Sequence, residues 1–225
     1  MKSGEAKLFA GILVAAIAMV AVALAPMLMA RDPERPPPPP PALTGAELAP
    51  ASARSQGNAQ ARHTLVEFGD YQCALCKTVH DRSKEWLREY GDRLRFVYYH
   101  YSASRHPLSR TMARAAEAAA EQGKYREMHN LLFENAQEMS RLSPQDGEAF
   151  IMRLAGQLQL DMLAFRAALT GPSTDQAVAA AEDLAMRAGV MSTPNFIMVL
   201  PDGTLERLPT LESVEQWLKD PTKLR

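Results

Sequence analysis

The chain has 225 residues, 47% of them hydrophobic, and a formal net charge of -1 at pH 7. This length allows one sizeable domain together with an anchor and a linker. The near-zero charge, without long runs of Lys or Arg, excludes a basic nucleic-acid-binding tail and gives no reason to expect a nucleic-acid partner. Because Cys73 and Cys76 are the only two cysteines, the chain cannot be a scaffold built on several disulfides.

An uncharged apolar run over residues 8–30 is the first feature along the chain. At about 1.5 Å per helical residue, it is long enough to cross a hydrocarbon core of about 30 Å. A cleaved signal peptide is the alternative, but its apolar core normally has about 7–15 residues. We therefore favour an uncleaved transmembrane anchor, preceded by a short cytoplasmic segment, residues 1–7. Both interpretations place the rest of the chain outside the cytoplasm, where disulfides can persist.

Residues 31–60 have the composition of a linker. The unbroken proline run Pro36–Pro41 favours a stiff polyproline helix of about 3.1 Å per residue. The Ala, Ser, Gly and Gln residues that follow show no periodic apolar pattern. We expect a spacer that ends where a globular domain, residues 61–225, begins.

The globular segment combines strand and helix patterns. Residues 64–68 and 94–101 are rich in β-branched and aromatic residues and predict strands on either side of a helix over 74–90. Further helices are predicted over 109–122, 125–137, 144–157, 161–171 and 174–189. A hairpin over 195–200 and 204–208, with the turn Pro201-Asp202-Gly203, precedes a last helix over 211–218. This order predicts an α/β domain whose first two strands run parallel.

Cys73-Ala74-Leu75-Cys76 lies between the first strand and the first helix of this domain. A thiol at a helix N-terminus faces unpaired amide groups and the positive end of the helix dipole, and both lower its pKa. The thiolate is the form that attacks disulfides. Cys76 follows one helical turn later and can attack the mixed disulfide that Cys73 forms. We therefore predict Cys73 as the nucleophile and Cys76 as the resolving thiol.

Other interpretations of the cysteine pair fit the sequence less well. A zinc site needs about four ligands, and beyond His80 no further ligand is evident. Covalent haem requires His directly after the second cysteine, where Lys77 stands. We therefore expect neither a metal nor a cofactor. A positively charged His80 would lower the cysteine pKa, although an exposed helical histidine is the commoner case.

Several motifs occur in an order that resembles the DsbA-like branch of the thioredoxin superfamily. They are Gln56-Gly57-Asn58-Ala59, the run from Thr64 to Cys76, Arg95 to Tyr99, Ala113 to Phe133, and Gly189-Val190-Met191-Ser192-Thr193-Pro194-Asn195-Phe196. Together they extend over about residues 56–219, nearly the whole domain.

This resemblance implies a thioredoxin-like fold with a helical insertion over about residues 107–188. It implies that the Thr193–Pro194 bond is cis and that its loop lies against the cysteine pair, where it holds the substrate backbone. It also implies that Glu67 is a buried acid that exchanges a proton with Cys76; a solvent-facing strand residue is the alternative. The implied activity is thiol–disulfide exchange with cysteine-containing proteins on the periplasmic side of a bacterial inner membrane, with a partner protein that restores the redox state of the dithiol.

Ala74 departs from the family pattern, which usually has Pro directly after the first cysteine. The residues between the thiols tune the reduction potential, so the sequence leaves the direction of the redox reaction open. A non-catalytic module of the same fold, binding a metal or docking a partner protein, is the second hypothesis.

Overall fold

Strand β2 lies at the centre of the structure, and all seven of its residues, His63–Gly69, are buried. It pairs in parallel with β3, Leu94–His100, on one side and antiparallel with β4, Asn195–Val199, on the other. A strand covered on both faces is expected to be almost continuously apolar, and this explains the run Leu65, Val66 and Phe68. The structure is a computed structural model that describes residues 43–102 and 106–224.

Five strands and nine helices are present in the described part of the chain. The strands are β1 (Ser55–Gly57), β2 (His63–Gly69), β3 (Leu94–His100), β4 (Asn195–Val199) and β5 (Leu205–Leu208). The helices are α1 (Gly45–Leu48), α2 (Ala74–Tyr90), α3 (Ser109–Ala120), α4 (Tyr125–Glu134), α5 (Ala136–Met139), α6 (Pro144–Gln157), α7 (Met162–Thr170), α8 (Pro172–Arg187) and α9 (Leu211–Lys219). The order of strands in the sheet is β1-β3-β2-β4-β5.

Side chains alternate between two hydrophobic clusters on opposite faces of the sheet, as the two-residue period of a strand requires. In β3, Phe96 and Tyr98 join the larger cluster, whereas Val97 and Tyr99 belong to the smaller one. The predicted helical insertion lies between β3 and β4 as six helices, α3 to α8. Most of its buried apolar residues join the larger cluster and share a core with one face of the sheet, whereas Ala185, near the end of α8, belongs to the smaller cluster.

The predicted linker over residues 31–60 is wrong in its second half. Thr44 caps α1 through a capping box with Glu47, and the side chain of Leu48 is fully buried. Strand β1 pairs antiparallel with β3. Buried Arg95 donates hydrogen bonds to the backbone oxygens of Ala49, Pro50 and Ala53. A four-residue helix and a three-residue strand are too short to show a periodic apolar pattern, so no local pattern indicates that this segment packs on the domain.

The predicted anchor over residues 8–30, and the proline run after it, lie outside the described residues. Within residues 43–102 and 106–224, no helix is long and apolar enough to cross a membrane.

Candidate active site

The cysteine pair lies where β2 turns into α2. The carboxylate of Asp70 accepts a hydrogen bond of 2.8 Å from the amide of Gln72, and the Asp70 carbonyl accepts one of 3.0 Å from the amide of Cys73. Cys73 has extended backbone angles and is the N-cap residue of α2. Its sulfur therefore stands at the end of the helix where backbone N–H groups lack helical partners. This is the position that the sequence predicted for the nucleophile.

Cys73 is the more acidic of the two thiols. A hydrogen bond from the Cys76 thiol, the amides of Cys76 and Leu75, and a hydrogen-bond contact with Thr193 lower the pKa of Cys73 to about 5, although burial opposes this. The positive end of the α2 dipole acts in the same direction. At neutral pH the sulfur of Cys73 is therefore a thiolate, and 8% of the residue remains exposed for attack.

Cys76 has the opposite properties. It has no exposed surface, and burial, its hydrogen bond to Cys73 and the charge of Glu67 all raise its pKa. The amide of Asp70 donates a hydrogen bond of 3.5 Å to its sulfur. The two thiols are therefore distinct: one is ionised and accessible, and the other is protonated and enclosed. Chemistry at Cys76 requires a group nearby that can take its proton.

Glu67, which belongs to the buried strand β2, lies close to Cys76. Only 1% of the residue is exposed, so its side chain does not face solvent. Burial and the negative charge of Cys73 raise the pKa of Glu67 well above its usual value, and a hydrogen bond with the Cys76 thiol opposes the shift. Its Oε1 atom has no hydrogen-bond partner among the described residues. A buried carboxyl of raised pKa in contact with a buried thiol has the properties of a proton acceptor.

The loop before β4 brings Thr193 and Pro194 to the cysteine pair. The Thr193–Pro194 bond is cis, as the resemblance implied, and the carbonyl oxygen of Thr193 lies 3.6 Å from the sulfur of Cys73. Two large apolar side chains that flank the site residues in sequence are exposed. They are Leu75, between the two cysteines, and Met191, two residues before Thr193. The attacking sulfur is thus next to a backbone segment and apolar surface that a substrate chain can use.

His80 is neither exposed nor a cation, contrary to both possibilities considered from the sequence. Only 3% of the residue is exposed, and burial, together with Lys84 and Lys77, lowers its pKa to about 4. Its ring stacks on Phe133 with centroids 4.8 Å apart. A neutral histidine cannot stabilise the Cys73 thiolate by charge, so the low pKa of Cys73 arises from its hydrogen bonds and the α2 dipole.

A cluster of aromatic and histidine side chains beside Glu67 was not predicted. The hydroxyl of Tyr71 lies 2.9 Å from Nδ1 of His129, and Tyr98 packs on His129 with ring centroids 4.8 Å apart. His100 contacts Glu117 at 3.0 Å. The alternating pattern of residues 94–101 could have indicated which β3 side chains face Glu67, but not that α4 brings His129 to them. No group of three or more side chains of metal-ligand type occurs among residues 43–102 and 106–224.

A family model described as thioredoxin matches residues 51–220. The chain belongs to the thioredoxin superfamily. Solved structures named as DsbA proteins are among its structural neighbours, and the thioredoxin-like fold predicted for the globular domain is confirmed. The thioredoxin-like fold, the Cys-x-x-Cys pair and these neighbours together indicate an enzyme of the oxidoreductase class.

Three solved structures illustrate the likeness. A thioredoxin-like oxidoreductase from Silicibacter pomeroyi has 26% identity and a TM-score of 0.61, over 79% of this chain and 96% of that chain. DsbA2 from Pseudomonas aeruginosa has 24% identity and a TM-score of 0.54, over 76% and 88% of the two chains. A variant of alpha-DsbA1 from Wolbachia pipientis has 18% identity and a TM-score of 0.66, over 81% and 96%.

The curated relatives of this thioredoxin-family chain are longer proteins. The Na(+)/H(+) antiporter NhaA 3 from Salinispora tropica is 35% identical over 144 residues, which are 64% of this chain and 21% of the antiporter. The Na(+)/H(+) antiporter NhaA from Herminiimonas arsenicoxydans is 30% identical over 143 residues, again 64% of this chain and 22% of the relative. The chain thus spans about one fifth of the length of these relatives.

Proposed function

We propose that the protein is a membrane-anchored, extracytoplasmic thiol–disulfide oxidoreductase that exchanges disulfides with cysteine-containing proteins through Cys73 and Cys76. The observation that carries this proposal is the contrast between the two thiols. Cys73, with a pKa of about 5, is ionised next to the Thr193 carbonyl, whereas Cys76 is fully buried and its pKa is raised. The sulfur of Cys73 can therefore attack first, and the sulfur of Cys76 reacts only after a mixed disulfide has formed.

The exchange takes place in two displacements. The thiolate of Cys73 attacks one sulfur of a substrate disulfide, and the other substrate sulfur leaves with the bonding electron pair and takes a proton from solvent. Cys76 then transfers its proton to Glu67 and attacks the sulfur of Cys73. The Cys73–Cys76 bond forms, and the second substrate sulfur leaves as a thiolate. The substrate has gained two electrons from the dithiol, and the reverse sequence oxidises a substrate.

The Thr193–Pro194 loop serves to position the substrate. Its backbone is adjacent to the reacting sulfur, so an extended substrate chain can align its own backbone there while its cysteine meets Cys73. The exposed side chains of Leu75 and Met191 supply apolar contacts of low sequence specificity. A site of this kind accepts many client proteins, and a partner protein that restores the dithiol or disulfide would use the same surface.

Single cysteine variants test the exchange activity. We expect Cys73→Ser to abolish reduction of insulin and to form no adduct with a disulfide-containing peptide. Cys76→Ser keeps the attacker and lacks the resolving thiol, so it should accumulate a mixed disulfide that mass spectrometry detects. Exchange activity that survives in Cys73→Ser contradicts the proposal.

The membrane part of the proposal is supported by the uncharged run over residues 8–30 and by the relatives named as Na(+)/H(+) antiporters. The intact mass of the protein from a membrane fraction tests it. An uncleaved N-terminus in carbonate-washed membranes is the expected result. A mature chain that starts between about residues 25 and 31 and remains in the soluble fraction supports the signal-peptide alternative. Protease added outside the inner membrane should degrade the domain.

A further inference from the structure

We propose that Tyr98 relays protons between Glu67 and the solvent in two cavities beside β3. The inference rests on the proposed function, because Glu67 needs such a route only if it exchanges protons with Cys76. Glu67 is 1% exposed, so a proton taken from Cys76 has no direct path to water. A catalytic cycle must nevertheless return Glu67 to its starting protonation state.

Tyr98 and Glu67 face each other across neighbouring strands. They are register partners in the parallel pairing of β2 and β3. A β-carbon at Gly69 would lie 2.9 Å from Oε1 of Glu67 and would clash with Cε2 of Tyr98. The carboxyl and the ring therefore border the same small space, which the glycine leaves open.

Two buried oxygen atoms near this space are not hydrogen-bonded to each other, so a proton passes between them through a side-chain rotation or a bridging water. Oε1 of Glu67 and the hydroxyl of Tyr98 are buried without a hydrogen-bond partner in the described part of the chain. A buried polar atom left unpaired costs free energy, so its retention in a core needs a reason. A tyrosine hydroxyl can accept one proton while it donates another. Burial also raises the pKa of Tyr98 well above its usual value, so the hydroxyl returns to its protonated form after each transfer.

Tyr98 connects this space to solvent. It lines a cavity of about 310 Å³ and a second of about 670 Å³, and both cavities also have Arg54 and Tyr125 in their walls. Glu67 lines neither of these two cavities. His100, which lines the larger one, has a buried Nδ1 atom without a partner among the described residues, and its ring centroid lies 5.6 Å from that of Tyr98. Tyr98 thus borders both the small space beside Glu67 and the two cavities that water can enter.

The transfer conserves the number of protons. After Cys76 has given its proton to Glu67, the carboxyl donates that proton towards Tyr98 while the Tyr98 hydroxyl releases its own to water in the cavity. Glu67 is again a carboxylate and Tyr98 is again neutral. The net result is one proton moved from Cys76 to solvent, and the reverse movement supplies the proton when Cys76 is reduced.

The charged and titratable groups around Tyr98 also influence how the rate of the resolving step depends on pH. The titratable and charged groups around it come from β2 and the loop after it, α2, β3, α3, α4, α8 and the N-terminal segment, and they are Glu67, Asp70, Tyr71, Cys76, His100, Glu117, Tyr125, Arg126, Glu127, His129, Asp183, Arg187 and Arg54. Burial lowers the pKa of His129 well below its usual value, so it is neutral. Glu117, which contacts His100 and Arg54, has a pKa lowered to about 2 by these partners against the effect of burial. Neither of these two groups changes charge between pH 6 and 9.

The test compares Tyr98→Phe with Tyr99→Phe in the full chain. Both changes remove one hydroxyl from adjacent positions on β3, and Tyr99 also lines the larger cavity. The Tyr99 hydroxyl, however, donates a 3.1 Å hydrogen bond to the Leu48 carbonyl on the opposite face of the sheet. The measured quantity is the rate of the resolving step, followed as release of a chromogenic thiol from the mixed disulfide between pH 6 and 9 in H₂O and in D₂O.

We expect Tyr98→Phe to slow the resolving step at least about tenfold, in keeping with the contribution of a positioned proton-transfer group. The pH profile and the solvent isotope effect should change with it, while the first attack by Cys73 and the melting temperature stay the same. Tyr99→Phe should leave the resolving step unchanged. Glu67→Gln with Tyr98→Phe should be no slower than Glu67→Gln alone, because both act on one transfer.

Two results overturn the relay in different ways. If Glu67→Gln is slow while Tyr98→Phe resolves at the wild-type rate with the wild-type isotope effect, the relay is wrong and the oxidoreductase function stands. If the wild-type protein forms no mixed disulfide at all, the proposed function fails and the relay fails with it.

Discussion

The sulfur of Cys73 lies 3.6 Å from the carbonyl oxygen of Thr193, a residue 120 positions further along the chain. The six helices of the insertion separate the two residues in sequence, but β2 and β4 pair antiparallel in the same sheet. The segment that leaves β2 towards α2 and the segment that enters β4 therefore meet at the same end of these two paired strands. This meeting places the reactive thiolate against a backbone segment that can hold a substrate chain.

Glu67→Gln should stabilise the reduced protein at neutral pH and slow its resolving step. The folded-state pKa of Glu67 is raised, so the unfolded chain releases this proton more readily and stability falls as pH rises above about 4.5. The neutral amide removes that loss, and we expect a gain of about 1 to 3 kcal/mol, the usual scale for a buried polar group without a partner. Urea denaturation at pH 5 and pH 8 checks this. A gain that is the same at both pH values contradicts the raised pKa.

His80→Phe should protect the protein against acid. The folded-state pKa of His80 is lowered to about 4, below its unfolded value of about 6.5, so the unfolded state binds more protons in this window. The stability that His80 contributes is therefore lost as pH falls from about 6.5 to 4. Phenylalanine keeps the stacking on Phe133 and cannot be protonated. Melting temperatures at pH 4.5 and pH 7.5 should differ less in the variant, and an unchanged difference would show that His80 does not titrate there.

Leu48→Ala should destabilise the domain by about 2 to 5 kcal/mol, the range for a buried leucine reduced to alanine. Leu48 is fully buried, whereas Leu163 is 81% exposed, so Leu163→Ala is the matched control and should change stability by less than about 0.5 kcal/mol. Chemical denaturation gives both values. Equal effects of the two substitutions would mean that residues 43–60 are a linker after all.

Two proline substitutions separate the donors at the N-terminus of α2. The pKa of Cys73 is lowered by the amides of Cys76 and Leu75, and the amide of Ala74 is not one of these donors. Proline is tolerated in the first turn of a helix, so Ala74→Pro should leave the titration of Cys73 unchanged, whereas Leu75→Pro removes a donor and should raise its pKa. Iodoacetamide labelling rates against pH measure both. A larger shift for Ala74→Pro than for Leu75→Pro contradicts this assignment.

The sequence was most informative where local chemistry is strong. The helix predicted over 74–90 has those bounds in the structure, and the strand predicted over 64–68 extends by one residue at each end. The cysteine pair was identified because a thiol at the predicted N-terminus of a helix is expected to be a thiolate. Thr193 and Pro194 came from the family motif alone, since no local pattern indicates which loop meets the cysteines.

The remaining features depend on tertiary packing. The helix predicted over 125–137 breaks at Asn135, whose side chain donates a hydrogen bond to the Leu131 carbonyl and so competes with the backbone ladder. The buried state of His80 is set by Phe133 and His129 on α4. The space shared by Glu67 and Tyr98 arises from strand register. None of these contacts joins residues that are adjacent in sequence.

The acidity of Cys73 tests the account most directly. Absorbance at 240 nm reports thiolate formation in the reduced protein, and Cys73→Ser serves as the blank. We predict one transition near pH 5, absent from the blank, with Cys76 remaining protonated throughout the neutral range. A Cys73 thiol that ionises near pH 8.5, as free cysteine does, would contradict it.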